Sequence, residues 1–415
     1  MNLKSLIIFT TIFIQIFTFN CTYTNTANLF IEKNIAHAEN IVDDAPPAPF
    51  DENKPYIPVT ADNLQDMTAD SAILIDATTG RVLYEKNPDK PHYPASTTKM
   101  MTCILALENS NDDDIVDIDN RAVGEDGSSI YLNENDQMKM SELIQATMLA
   151  SGNDGASAIA YYVGKGSMAD FVQMMNDKAK SIGATNTHFN NPHGLPDTNH
   201  YSTARDLAKI AAYGYLNPKF RKIVSTKEQE ISWLRPSEQK YDFGSTNRLL
   251  WNYDDVTGIK TGYTDSAGGC LVASAQQNGA TLIAVVLKTS DGRTRFTESR
   301  ALLDYGFKQI ANKVTINDSK LTSNIYVHDS NISKTTVKPA TTFSYLIMKN
   351  ENPDDFSYEV NLPKAISAPL KAGDKVGTVD LIFQGTVIGS VDMVATEDIN
   401  SGFNIIGFLH KLIFG

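Results

Sequence analysis

The sequence predicts an α+β fold in two folded units. Two apolar strands near 71–85 precede a mostly helical stretch over 140–217, and strands return over 258–287. Beyond residue 312 the helical signal gives way to short alternating runs, 375–383 and 386–394, bounded by Gly373-Asp374 and Gln384-Gly385; this describes a small all-β unit. A chain of 415 residues, 42% hydrophobic and 20% charged, has material for both cores. Lys and Arg number 36 against 49 Asp and Glu, a net charge of −13, and no basic run offsets it. A nucleic-acid partner is therefore not expected.

In chain order, Lys4, an apolar run over 6–19 and Ala36-His37-Ala38 describe a secretory signal peptide over 1–38. Residues 39–62, with Pro46, Pro47, Pro49, Pro55 and Pro58, read as an acidic, proline-rich linker. The first folded unit is expected over 63–312. Residues 71–76 and 81–85 form two strands around the turn Ala77-Thr78-Thr79-Gly80. A helix follows over 94–109, with Met100, Cys103, Ile104 and Leu107 at helical spacing. Further helices are predicted over 141–150, 156–163, 168–182 and 204–215, the last opened by a capping box of Thr203 and Asp206. Strands over 258–262, 270–275 and 281–287 and a helix over 297–310 complete a sheet built from both ends of the unit. The β unit is expected over 313–397. Residues 398–415 close the chain with an amphipathic helix: Ile405, Ile406, Phe408, Leu409, Leu412 and Ile413 share one arc, with Asn404, Gly407 and Lys411 opposite. That pattern suits a helix lying on a membrane surface. The alternative is docking on the helix's own β unit.

Three short motifs carry the chemistry: Ser96-Thr97-Thr98-Lys99 at the start of the first helix, Ser151-Gly152-Asn153 after a helix, and Lys260-Thr261-Gly262 in a strand. Each alone is a weak signal; their order and placement together are not. Ser96 and Lys99, three apart, share one helical face. A serine hydroxyl needs a base beside it. A lysine serves only when neutral, which requires burial or a neighbouring positive charge. Lys260 supplies such a charge if its strand passes the helix end, and the helix N-terminus favours a developing oxyanion. This geometry suits acyl transfer.

The set resembles the penicillin-binding and serine β-lactamase families, and most closely the low-molecular-mass D-alanyl-D-alanine carboxypeptidases. Residues 73–99, Asn191-Pro192-His193-Gly194-Leu195, 200–207 and 260–275 carry the likeness. It implies a β-lactamase/transpeptidase-like domain that releases the terminal D-alanine from peptidoglycan stem peptides, takes β-lactams as covalent inhibitors and needs no cofactor. In that resemblance Ser96 is the acylated nucleophile and Lys99 its base. Ser151 relays a proton to the leaving amine, and Asn153 holds Lys99 and the substrate amide. Lys260 and Thr261, with Gly262 in the same strand, bind substrate. The backbone N–H groups of Ser96 and Tyr263 form the oxyanion hole, and Arg295 helps bind the terminal carboxylate, with Arg293 close by.

Other readings have less behind them. A class A β-lactamase needs a glutamate three residues before a Leu-Asn pair, and neither Leu132-Asn133 nor Leu216-Asn217 has one. A non-catalytic wall-binding or β-lactam-sensing module is at odds with intact Ser96, Lys99, Ser151 and Lys260. His193 and His200 lack zinc-ligand spacing and read as loop histidines. Cys103 and Cys270 lie in apolar stretches and read as buried thiols.

Overall fold

The structure, a computed structural model, describes residues 59–316 and 321–414. The expected export signal and most of the proline-rich stretch lie outside the described residues. Residues 59–62, read as the end of the linker, belong to a folded unit: Val59 is buried and Asp62 pairs with Lys308 at 2.5 Å. The described chain divides between Gln309 and Ile310, where the sequence placed the boundary after 312.

The first unit contains β1 (Ser71–Asp76), β2 (Val82–Lys86), a 3-10 turn (Ala95–Thr98) running into α1 (Lys99–Asn109), β3 (Ile115–Asp117), β4 (Gln137–Lys139), α2 (Met140–Ala150) and α3 (Asn153–Val163). There follow α4 (Met168–Ser181), α5 (Ala204–Leu216), α6 (Pro218–Ser225), β5 (Glu228–Ser232), β6 (Lys240–Gly244), α7 (Arg248–Asn252), β7 (Val256–Thr264), β8 (Gly268–Gln277), β9 (Ala280–Thr289) and α8 (Thr294–Gln309). The main sheet is antiparallel in the order β2-β1-β9-β8-β7. β1 pairs with β9 from the far end of the unit, Ile73 opposite Val285. All six residues of β1 are buried because both faces are covered. Ile73 and Ile75 join the helical core, while Leu74 turns to α8, where a Cβ on Gly306 would lie 2.6 Å from the Leu74 side chain.

The capping signal at α5 is half realised. Thr203 Oγ1 accepts the Asp206 N–H at 3.1 Å, whereas the Asp206 carboxylate takes Asn186 N–H at 2.7 Å and Thr187 Oγ1 at 3.0 Å. The sequence reading passed over α6 and the β5–β6 hairpin. In β5 only Ile231 is fully buried, too little to give a periodic signal.

The second unit comprises β10 (Ile310–Ile316), β11 (Ser323–His328), β12 (Lys334–Pro339), β13 (Phe343–Met348), β14 (Phe356–Asn361), β15 (Ala365–Ser367), β16 (Lys375–Phe383), β17 (Thr386–Ala395) and α9 (Ile405–Phe414). β10 pairs with β13, and six strands form a sheet in the order β14-β16-β17-β12-β11-β15. Its core includes Ile316, Val337, Val379, Leu381, Val391 and Met393. α9 docks on β11 by its small and polar side. A Cβ on Gly407 would lie 2.6 Å from Val327 O, His410 Nδ1 meets His328 Nε2 at 3.1 Å, and Lys411 pairs with Asp329 at 2.7 Å. The apolar arc, Ile405 to Ile413, stays 48–74% exposed at its six large side chains. Among the described residues no helix is long and apolar enough to cross a membrane.

Candidate active site

Ser96 sits in the 3-10 turn, half-buried, and Lys99 opens α1 with its side chain fully buried. The Lys99 ammonium donates to Ser96 Oγ at 2.9 Å, Asn153 Oδ1 at 2.6 Å and the His193 carbonyl at 2.8 Å, so its three donors are all used. Burial first, and then the Lys260 charge, push Lys99 well below an ordinary lysine, against the pull of Asp154 and Glu125. Lys260 is also buried. Burial and the Arg295 guanidinium bring it down to about 7, and its hydrogen bond is a long one, 3.3 Å to the Thr261 carbonyl.

β7 ends the main sheet, so one edge of this strand is unpaired within it. Gly262 lets it approach the Ser96 turn: a Cβ there would lie 2.9 Å from Pro94 O and 3.1 Å from Ser96 N. Thr261 Oγ1 meets Thr246 Oγ1 at 2.6 Å, and Tyr263 is half exposed at the strand's end. Arg295 on α8 reaches β7, its Nη1 donating to Gly262 O at 2.6 Å; Arg293 is exposed. Arg295 Nε is buried without a hydrogen-bond partner.

Ser151 caps the C-terminus of α2 in the left-handed region (φ 61°) and is buried. Gly152 follows because a Cβ would meet Ile130 Cγ2 at 2.8 Å; a larger residue at the motif's centre has no room here. Asn153 begins α3 and gives its N–H to Ser128 O at 2.7 Å. The structure thus gathers Ser96, Lys99 and Asn153 by direct hydrogen bonds, and brings Lys260 and Gly262 alongside.

Two family models match the chain: "D-alanyl-D-alanine carboxypeptidase" over residues 58–291 and "Penicillin-binding protein 5, C-terminal domain" over 311–401. This chain belongs to the D-alanyl-D-alanine carboxypeptidase family. It is 35% identical over 344 residues to the D-alanyl-D-alanine carboxypeptidase DacF of Bacillus subtilis, covering 81% of this chain and 87% of that one. With DacC of Escherichia coli it shares 34% identity over 345 residues, 80% of this chain and 84% of the other. Among solved structures, penicillin-binding protein 5 of Haemophilus influenzae aligns with a TM-score of 0.64 at 31% identity, covering 81% of this chain and 98% of that one. The Streptomyces K15 DD-transpeptidase aligns at 0.56 and 32% identity, covering 58% and 98%.

Several residues of this carboxypeptidase-family site escaped the sequence reading. Asp154 is buried and accepts from Ser129 Oγ (2.6 Å), Ile130 N (3.0 Å) and Leu132 N (3.1 Å), tying the 128–132 loop to α3. Its place beside Asn153 was the available signal. His193 and His200, read as loop histidines, lie in loops but are buried. His200 Nδ1 accepts Asn190 N–H at 3.0 Å, which leaves Nε2–H to donate to Thr98 Oγ1 at 2.9 Å. Burial lowers His200 to about 4, and burial, helped by the Lys99 charge, lowers His193 to about 3; both are neutral at pH 7. Gly194 (φ +92°) packs against the Ser96 turn, where a Cβ would lie 1.8 Å from Ala95 O. Among the described residues no cluster of His, Cys, Asp and Glu has the makings of a metal site.

Proposed function

We propose that the chain is a serine-type carboxypeptidase removing the terminal D-alanine from peptidoglycan stem peptides. The observation that carries this reading is the buried Lys99 ammonium 2.9 Å from Ser96 Oγ, under the field of a second buried lysine. Neutral Lys99 takes the Ser96 proton as Oγ attacks the carbonyl between the two D-alanines. The backbone N–H groups of Ser96 and Tyr263 receive the oxyanion. The C–N bond then breaks as the proton held by Lys99 passes through Ser151 to the departing D-alanine amine, leaving Lys99 neutral again. Water cleaves the ester by the reverse proton path, restoring Ser96. Lys260, Thr261 and Arg295 hold the terminal carboxylate, and the peptide lies along the free edge of β7. The same attack on a β-lactam leaves a covalent adduct.

In this reading the enzyme works outside the cytoplasm, on the strength of the basic-apolar start and Ala36-His37-Ala38. α9 rests on the membrane surface, supported by an apolar arc that points away from β11. The deciding assay is D-alanine release from diacetyl-Lys-D-Ala-D-Ala, with EDTA and benzylpenicillin controls. Release should survive EDTA and stop with penicillin. Ser96→Ala should lower release at least about 10,000-fold and abolish covalent penicillin labelling. Persistent covalent labelling would remove Ser96 as the nucleophile.

A further inference from the structure

An exposed aromatic shelf joins the two walls of the site. Tyr131 lies in the 128–132 loop, whose Ser128 carbonyl takes the Asn153 N–H at 2.7 Å and whose Ile130 and Leu132 amides are held by Asp154. Tyr241 lies on β6, five residues before Thr246, the partner of Thr261. The two rings sit 6.4 Å apart, 67% and 45% exposed. Beneath them Trp233 is buried, edge-on to Tyr241 at 5.5 Å, with Nε1 donating to Asp136 at 3.1 Å. Leu234 and Arg235 amides donate to Gln137 O, fixing the connection between β5 and β6 to the start of β4. Neither phenol hydroxyl has a hydrogen-bond partner among the described residues. Two neighbouring exposed rings with solvent-facing hydroxyls offer an apolar face and a polar rim together, the composition of a binding face.

We infer that Tyr131 and Tyr241 form a subsite for the sugar to which the stem peptide is attached; the inference rests on the carboxypeptidase reading above. A pyranose presents an apolar C–H face to aromatic rings and hydroxyls to their phenol groups. Two cations of the same hairpin are engaged, Lys240 (beside Tyr241 in sequence) with Glu230 at 3.1 Å and Arg235 (between β5 and β6) with Asp117 at 3.3 Å, which suits a neutral sugar rather than a polyanion. Reach agrees: Tyr131 is three residues, at most roughly 11 Å of chain, from Ser128, whose carbonyl takes the Asn153 N–H, and the four stem residues ahead of the scissile carbonyl span at most roughly 14 Å. The chain that carries Tyr241 meets β7 five residues on, at the Thr246–Thr261 contact.

The test measures binding in a Ser96→Ala chain, with the acetylated pentapeptide and the same pentapeptide on its disaccharide as ligands. The disaccharide form should bind about fivefold tighter, and adding Tyr131→Ala or Tyr241→Ala should erase that ratio. A ratio holds whatever fraction of a variant is folded, because the same preparation meets both ligands. Equal affinities in the Ser96→Ala chain, or a ratio that survives both tyrosine changes, would overturn the subsite. The carboxypeptidase reading stands or falls separately, on D-alanine release from the pentapeptide by the unsubstituted chain.

Discussion

The active site and the C-terminal helix each invert the ordinary burial rule, in opposite senses. Around Ser96 two lysines are buried, although ammonium groups strongly prefer water. On α9 six large apolar side chains face solvent while the small and polar side packs inward. Neither arrangement minimises the free energy of an isolated folded chain. The first lowers the lysine pKa, which in the proposed mechanism supplies a base, and the second leaves exposed an apolar surface that the proposed membrane contact would cover. The active site also differs within itself: Lys99 has three acceptors at 2.6–2.9 Å, and Lys260 has one at 3.3 Å.

The sharpest way to break the comparison is to replace each lysine by methionine. Both Lys99→Met and Lys260→Met should cut acylation by benzylpenicillin by about 1,000-fold or more. Their stabilities should separate. Lys260→Met removes a poorly solvated charge and should stabilise the fold by about 1–3 kcal/mol at pH 7. Lys99→Met strands Asn153 Oδ1 and His193 O and should gain nothing or lose stability. Urea midpoints for the two variants check this, and equal shifts would refute the distinction.

The acylation rate should also depend on pH in a defined direction. Neutral Lys99 is needed, so the rate rises as its depressed pKa is passed. Charged Lys260 is needed, so the rate falls again near its value of about 7. A second-order rate constant still climbing through pH 9 would mean that the Lys260 charge is dispensable. For stability the sign is the reverse of loss. Between about 7 and the ordinary 10.5 the unfolded chain holds more protons at Lys260 than the folded one, so this site's penalty fades as pH rises.

The smallest effect concerns α9. Gly407→Ala would bring a methyl against Val327 O and should undock the helix, costing about 1–2 kcal/mol in the β unit and leaving D-alanine release intact. Removing residues 403–415 should abolish co-sedimentation with anionic lipid vesicles at unchanged turnover. Sedimentation by the shortened chain would dismiss the helix as the membrane contact.

Much of this was legible beforehand because the signals are local. The strands over 71–76, 270–275 and 281–287 announce themselves by nearly continuous apolar runs, and α9 by its arc. Ser96 and Lys99 meet because three residues of helical turn bring them together. The contacts of Asp154, Thr246, Gly194 and His200 with Ser129, Thr261, Ala95 and Thr98 were not legible, since these partners lie 15 to 102 residues away and carry no periodic mark. The β5–β6 hairpin was missed for a related reason: its strand β5 has one buried residue.

The sequence by itself determined the main strands and helices of the first unit, the placing of Ser96 and Lys99 on one turn, and the presence of a second lysine in a strand. Only the tertiary structure decided that both lysines are buried, that Lys99 spends its third donor on a carbonyl 94 residues away, and that Gly262 admits β7 to the Ser96 turn. The physical reason is that backbone periodicity is written in neighbouring residues. Desolvation and charge coupling depend on which distant segments close around a group, and those are set only when the sheet brings the two ends of the unit together.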